Sequence, residues 1–415
     1  MYAGPGASPL TADASPALRP SDRQLLEVLR RHGELDRAGL ARLSGMPRST
    51  VTDSVARLQQ QGFVVERAMP FATRAGAGRP PVLLALAAPA GVAGLVWLTH
   101  ESLHAGVFGF DGAVHAQLTI DPFPYGPADR VAGPGLELLT RALAQASRAH
   151  AELRGLVVAM PMPVSAGPAS AAAGPAPLLT RSSLAPSHVP ADPSRELAEA
   201  LGVPVWVEND ANLAALGEGV LGAAIDMPSF LYIKIVQGIG AGLVLDRRLH
   251  RGAGGLAGEL AHIHVENDGA VCACGGRGCL MTTFNARRLL DRIRAVHPRA
   301  ESMADVMRLA ADGDAGVLRL LRDLGRTIGR SIADFCVYVA PDGVVIDGVL
   351  QNAATPVIDG IREALYQYAP PAVVSRVRVV VGALAEQAEL HGAAVLARRN
   401  LSGHDLLSRP ARTTA

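Results

Sequence analysis

Apolar residues recur at helical spacing three times near the start of the chain. In SDRQLLEVLRRHG, Leu25, Leu26 and Leu29 share one face between a Ser21 cap and Gly33. DRAGLARLSG follows, capped by Asp36 and ended by Gly45, and MPRSTVTDSVARLQQQG carries Val51, Val55 and Leu58 at helical intervals. FVVERA then reads as a short strand, MPFATRAGAGRPP as a turn-rich loop and VLLALA as a second strand. Two short helices joined by a tight turn at Ser44-Gly45-Met46, with a polar second helix and a strand pair behind, spell a winged helix-turn-helix over residues 21–88. Residues 1–20 have neither a basic start nor an apolar run and read as a disordered leader.

From Gly91 onward, apolar strands alternate with amphipathic helices. GLVWLTH and AGVFGFDG pattern as a strand hairpin, LELLTRALAQASRAHAEL as a helix, RGLVVAM as a strand and PSRELAEALG as a helix. VPVWVEN and DANLAALGEGVLG continue as strand and helix, and FLYIKIV with GAGLVLD as a strand pair. GVVIDG, VIDGIREALYQYA, VRVVVG and LHGAAVLARRNL close the series as strand, helix, strand, helix. This is the order of an α/β body with mixed sheets, and residues 89–400 are long enough for two lobes. Residues 161–193, rich in Pro, Ala, Ser and Gly, offer no pattern, no repeat is evident, and 401–415 read as a flexible tail.

Composition adds a charge asymmetry. Hydrophobic residues make up 49% of the chain and aromatics only 4%, so the core is built from Ala, Val, Leu and Ile. The formal net charge of +1 says nothing about partners of the whole molecule. Between Arg19 and Arg79, however, eleven arginines face six acidic residues, a basic excess that fits nucleic acid. The second helix of the motif opens with Arg48, Ser49 and Thr50, followed by Thr52. Small hydroxyls and an arginine at a helix N-terminus approach phosphates and base edges closely. Residues 48–57, ending in Arg57, are the expected contact to a double-stranded DNA operator. Arg79, between Gly78 and Pro80, fits either a minor-groove contact or an ordinary linker. No stretch reaches the length of a membrane span and no signal peptide is evident, so no membrane partner and a cytoplasmic location are expected.

HIHVENDGAVCACGGRGCL holds three of the four cysteines. Cys272, Cys274 and Cys279 offer soft thiolates in a Gly-rich loop able to wrap one ion. Cys272 and Cys274 are too close in sequence to bridge without strain, and a reducing compartment disfavours disulfides. Tetrahedral zinc needs a fourth ligand, which His262 or His264 could supply. One structural Zn²⁺ per chain is expected, the other reading being a reactive, uncoordinated cysteine cluster. Cys336, inside the apolar IADFCVYVA, reads as a core residue.

GGLAGELAHIHV followed by CACGGRGCL resembles the signature of the ROK family of bacterial repressors and sugar kinases. VPVWVENDANLAALGE resembles that family's sugar-contacting segment, and GIGAGLVLDRRLHRG its second phosphate-side glycine loop. The resemblance runs from residue 21 to residue 400. It implies an actin-like, two-lobed ATPase-type body, usually dimeric or tetrameric, in which zinc organises the sugar site. The family's metal histidine lies in a Gly-Glu-x-x-His run, which here ends at His262 and so selects it over His264. The resemblance also implies that Asp210, beside Asn209, matches the carboxylate that takes the proton of a sugar hydroxyl in a kinase. Glu259 and His262 would hold other hydroxyls. Taken alone, Asp210 reads as a helix N-cap.

The chain departs from the family pattern where phosphates and sugar are held. In place of an Asp-x-Gly-x-Thr hairpin it has GLVWLTHESLHAGVFGFDG, with Trp97 and Thr99 to His104 at the critical positions. Met160 and Met162 replace glycines of a Gly-x-Pro-Gly-Pro strand end, Met281 replaces a glutamate after the third cysteine, and the adenosine-side glycine run shrinks to Asp347-Gly348-Val349. Phosphoryl transfer depends on positioning and electrostatics, so these losses remove most of its rate. The expectation is a transcriptional regulator of repressor type and not an enzyme. Its body would act as sensor, with a sugar or sugar derivative as effector, and as the dimerisation module of a homodimer or tetramer. The other readings are an ATP-dependent sugar kinase with a fused DNA-binding domain, and a regulator whose body binds a protein partner.

Overall fold

The computed structural model describes the chain except residues 1–17, 69–81, 88–89, 100, 111, 124–130, 167–176, 179–192, 236–237, 348–352 and 408–415. It divides into two compact units, one comprising Met1–Ala87 and Ser402–Ala415, the other Ala88–Leu401.

The first unit carries α1 (Pro20–His32), α2 (Arg37–Ser44) and α3 (Arg48–Gln60), followed by β1 (Val64–Ala68) and β2 (Val82–Leu86). The two strands pair antiparallel from Val64↔Leu86 to Ala68↔Val82. Leu25, Leu26, Leu29, Leu40, Val51, Val55, Leu58 and Leu84 meet in one core, as their spacing requires. Helix α1 does not start on a Ser21 cap. Its N-cap is Arg19 and Pro20 takes the first helical position, where a fixed φ and a missing N–H cost nothing. Asp36 caps α2 by accepting from the Gly39 N–H at 2.7 Å, and Gly45 turns the chain at φ 69°, a left-handed conformation that glycine adopts without strain. Arg79 lies outside the described residues.

The second unit repeats one topology. β3 (Val92–Leu98), β4 (Leu103–Gly109) and β5 (Val114–Ile120) form an antiparallel meander. α4 (Ala132–Gln145) leads to β6 (Leu153–Met160), a short pair β7 (Ser165–Ala166) and β8 (Pro177–Leu178), then α5 (Ser194–Leu201) and β9 (Val205–Asn209). The sheet order is β5-β4-β3-β6-β9, with β6 parallel to β3 and β9 parallel to β6. After α6 (Asp210–Leu221), the meander recurs as β10 (Phe230–Ile235), β11 (Ile239–Leu245) and β12 (Arg248–Leu249). Helices α7 (Leu280–Thr283), α8 (Ala286–Arg294), α9 (Met303–Ala311) and α10 (Ala315–Val339) precede β13 (Gly343–Ile346). α11 (Ala354–Tyr368), α12 (Pro371–Val374), β14 (Arg378–Val381) and α13 (Ala388–Leu407) complete the chain. The second sheet, β12-β11-β10-β13-β14, has the order of the first, and two such sheets make the two lobes.

Three details differ from the pattern. α4 stops at Gln145, well before Leu153, and Ser147 at φ 53° turns the chain out of the helix. The helices between Leu280 and Val339 are absent from the expected elements, although α10 is the longest helix described. α13 runs to Leu407, past residue 400. Cys336 is wholly buried among the α10 core residues.

α6 and α13 fill the space between the two sheets. Leu213, Leu216 and Leu390 pack on Leu95 and Phe108 of the first sheet, while Ala214, Ala215 and Ala388 pack on Phe230 and Tyr232 of the second. A Cβ on Gly217 would strike the Ala388 carbonyl, and one on Gly392 the Leu213 carbonyl, so these two glycines set the distance between the helices. No described helix is long and apolar enough to cross a membrane.

Candidate functional site

The cleft is built where β9 runs into α6. Asn209 is the helix cap. Its carbonyl oxygen accepts from the Asn212 N–H at 3.1 Å and its amide donates to the Met162 carbonyl at 3.1 Å. Both ends of this side chain therefore hold protein, and Asn209 fixes the strand end at Met160–Met162. Asp210, which follows, accepts from the Ala211 N–H at 2.9 Å and from the Lys234 ammonium at 2.7 Å. Lys234 also donates to Glu389 at 2.5 Å and lies 5.0 Å from the centre of the Trp97 ring. Trp97 stacks on His104 with centroids 4.6 Å apart. Burial and the Lys234 charge push the His104 imidazole down to about 4. The hairpin between β3 and β4 closes on itself, with Thr99 and Ser102 hydroxyls 2.7 Å apart and Ser102 2.7 Å from His104.

Other residues position the cleft without having been expected to. Glu208 is buried, takes the Arg251 guanidinium at 2.6 Å on one oxygen and the Asn209 N–H at 3.0 Å on the other. Arg251 opens the loop that carries Glu259, so this ion pair joins the loop to β9. Glu218, also buried, accepts backbone N–H groups of Ala223, Ala383 and Leu384. The only sequence sign of either carboxylate is its place in the VENDANLAALGE stretch. Gly258 has φ 90°, and a Cβ there would strike the Ala241 carbonyl, so the turn into Glu259 requires glycine. Burial, with the Asp210 charge second, pushes the Glu259 carboxyl up to about 7. The Met281 methyl rests against Gly238, on the loop expected to face phosphate.

The candidate metal ligands do converge. One ligand atom from each of His262, Cys272, Cys274 and Cys279 lies within 4.8 Å of all the others. The Cys274 and Cys279 sulfurs are 3.6 Å apart, and Cys272 sulfur is 3.5 Å from His262 Nδ1. Zinc bonds of about 2.3 Å to sulfur and about 2.1 Å to nitrogen put tetrahedral neighbours about 3.5–3.8 Å apart. The donor set therefore fits a metal ion of that kind. Burial also lowers the proton affinity of the His262 imidazole, which favours the neutral form that a metal ligand needs. His264 is exposed and pairs with Cys279 only as a β-bridge.

On the first unit, Arg48, Ser49 and Thr52 are exposed and Thr50 half-buried around the first turns of α3. No side chain caps this helix and its first turn has no acidic residue, which leaves its N-terminal N–H groups suited to phosphate. Arg57 does not join this face. Its guanidinium donates to Asp22 at 2.7 Å and to Ser54 at 2.7 Å, because the side chain of buried Asp22 draws it inward.

Residues 133–400 match the model described as ROK family, and residues 18–74 that of the MarR family. The chain belongs to the ROK family. The xylose repressor of Bacillus subtilis (strain 168) is 23% identical to this ROK chain over 85% of it and 88% of the repressor. A glucokinase of Streptomyces coelicolor is 32% identical over 50% of this chain and 71% of its own. Among solved structures, a ROK family transcriptional regulator, homologue of the E. coli MLC protein, superposes with a TM-score of 0.70 at 24% identity. It covers 92% of this chain and 96% of that one, so the two share the fold of a winged helix-turn-helix and a ROK body. ROK members thus include both repressors and kinases, and the cleft has to distinguish them.

Proposed function

We propose that this ROK chain is a sugar-responsive, DNA-binding transcriptional repressor whose body senses its effector without phosphorylating it. The observation that carries this reading is the state of Asp210. The carboxylate that a kinase would use on a sugar hydroxyl is already bound by Lys234, beside a β3–β4 hairpin in which the Thr99, Ser102 and His104 side chains bond one another in series. The similarity to a xylose repressor over most of both chains supports the same reading. Arg48, Ser49, Thr50 and Thr52 would contact the operator, with Arg79 reaching a minor groove beside it. Asp210, Glu259 and the Nε2 side of His262 would face a sugar, and Asn209 would position Asp210. His262, Cys272, Cys274 and Cys279 would hold one structural zinc, which stabilises the loop and orients His262 when bound. The protein would act in the cytoplasm as a homodimer or tetramer, matching a two-fold operator.

Fluorescence polarisation of the full chain with its own upstream DNA, with and without a panel of sugars and amino sugars, tests this. Release of specifically bound DNA by one sugar is the expected result. Specific binding that no sugar alters would overturn the sensor reading and favour a protein partner, and sugar-dependent consumption of ATP would favour a kinase.

A further inference from the structure

The charged cluster at the floor of the cleft joins Asp210 and Asp347, which lie in family-like stretches, to Lys234 and Glu389, which no motif contains. Lys234, the only lysine in the sequence, sits in β10, and its ammonium bridges Asp210 at the start of α6 and Glu389 at the start of α13. Asp347, at the end of β13, also acts on it. The four groups are 8%, 8%, 4% and 1% exposed in the order Lys234, Asp210, Glu389, Asp347, so water does little to screen them. Two carboxylates touch this one cation, and a third, Asp347, acts on it through space. Burial alone would lower the lysine's proton affinity, but Asp210, Glu389 and Asp347 outweigh it and hold the ammonium charged. Burial likewise pushes Glu389 up to about 7, against the pull of Lys234.

Carboxylates buried this closely need a cation or a proton, since each unpaired charge costs several kcal/mol, and the contacts show a cation in place. In a phosphoryl-transfer site, a divalent metal with its nucleotide supplies positive charge near the reacting carboxylate. Here a side chain fixed on a strand supplies it. Trp97, stacked on His104, covers the ammonium on the side of the β3–β4 hairpin. Among the described residues around this point, an aromatic cap and an excess of carboxylates remain, which disfavour phosphate groups.

We propose that Lys234 is a built-in counter-cation that takes the place of a divalent metal ion, and that with Trp97 it shuts the phosphate half of the cleft to nucleotides. This rests on reading the body as a sensor that does not phosphorylate. Its consequence for the effector is a class: an uncharged ligand, not a sugar phosphate, bound at the Glu259 side.

The test is thermal melting of the full chain in Mg²⁺ alone and in Mg²⁺ with AMPPNP, without DNA or sugar. The wild-type melting temperature is expected to stay constant to within about 1 °C in both. Lys234→Met should melt several degrees lower and regain at least about half of that loss in millimolar Mg²⁺. Should Lys234→Met fail to fold, Lys234→Met with Glu389→Gln removes one charge of each sign and keeps Asp210 and Asp347 to bind the metal. A folded variant that ignores Mg²⁺, or a wild type stabilised by Mg²⁺ with AMPPNP, would overturn the inference. DNA binding that no sugar alters would overturn only the sensor reading and leave these melts as they are.

Discussion

Arg48 and Arg57 stand on the same helix in opposite electrostatic settings. Arg48 is exposed at the N-terminus of α3, whereas Arg57 is anchored to Asp22, whose side chain is 2% exposed. Arg48→Ala should therefore weaken operator binding and reduce its salt slope by about one unit, with the melting temperature unchanged. Arg57→Ala leaves a buried carboxylate without its partner and should destabilise the first unit by about 1–3 kcal/mol in urea unfolding. Equal loss of DNA affinity without loss of stability would show that Arg57 touches DNA after all. At the proposed metal site, Cys274→Ser removes one of the three thiolates. Metal analysis of the wild type should give one zinc per chain, and the variant should lose it together with stability. A well-folded, zinc-free wild type would refute the assignment.

The β3–β4 hairpin and the α6–α13 pair carry the element-scale consequences. His104 hydrogen-bonds Ser102 and Thr119, faces Lys234 and Asp121, and is pushed down to about 4 by burial first. Because the folded-state value lies below the ordinary 6.5, the unfolded chain takes up the proton first as pH falls. The stability held in a neutral His104 is complete above pH 6.5 and is lost as pH falls through about 4. Denaturant unfolding between these pH values should thus show a smaller acid loss in His104→Gln than in the wild type. Between the lobes, Gly392→Ala inserts a methyl against the Leu213 carbonyl and should cost about 1–3 kcal/mol or more, measured in the same way. A neutral effect would mean that α6 and α13 slide apart freely.

At the scale of the whole molecule, a sensor and a DNA-binding head in one chain are bound by linkage. A sugar that weakens operator affinity by some factor must itself bind the DNA-bound protein more weakly by the same factor. Calorimetric titration of the effector with and without operator DNA should return that ratio, equal to the one from polarisation. Unequal ratios would mean that the sugar effect does not arise at this protein. The repeated sheet order of the body, β5-β4-β3-β6-β9 and β12-β11-β10-β13-β14, gives it two lobes around α6 and α13. That architecture places the start of α6, and with it Asp210, between them.

Local periodicity was enough for the head, because Leu25, Leu29, Val51, Val55 and Leu58 build their core from helical spacing within short segments. The candidate metal ligands are legible for a similar reason, as three of the four lie in one loop. Asp210 and Glu259 were reached through their surrounding motifs rather than by any property of their own. The repeat of the body left no trace in the residues, since a sheet specifies strand order and not side-chain identity. The partners of Asp210, Glu208 and Arg57 were equally hidden. Asp210 and Lys234, Glu208 and Arg251, and Arg57 and Asp22 lie 24, 43 and 35 residues apart, and no local pattern pairs them. Local pattern is sufficient for most strands, for the head and for the Cys-rich loop, whose interactions are short in sequence, but not for the helices between Leu280 and Val339. Only the tertiary structure decided which buried charges neutralise one another, because that depends on which strands and helices the fold brings within a few ångströms.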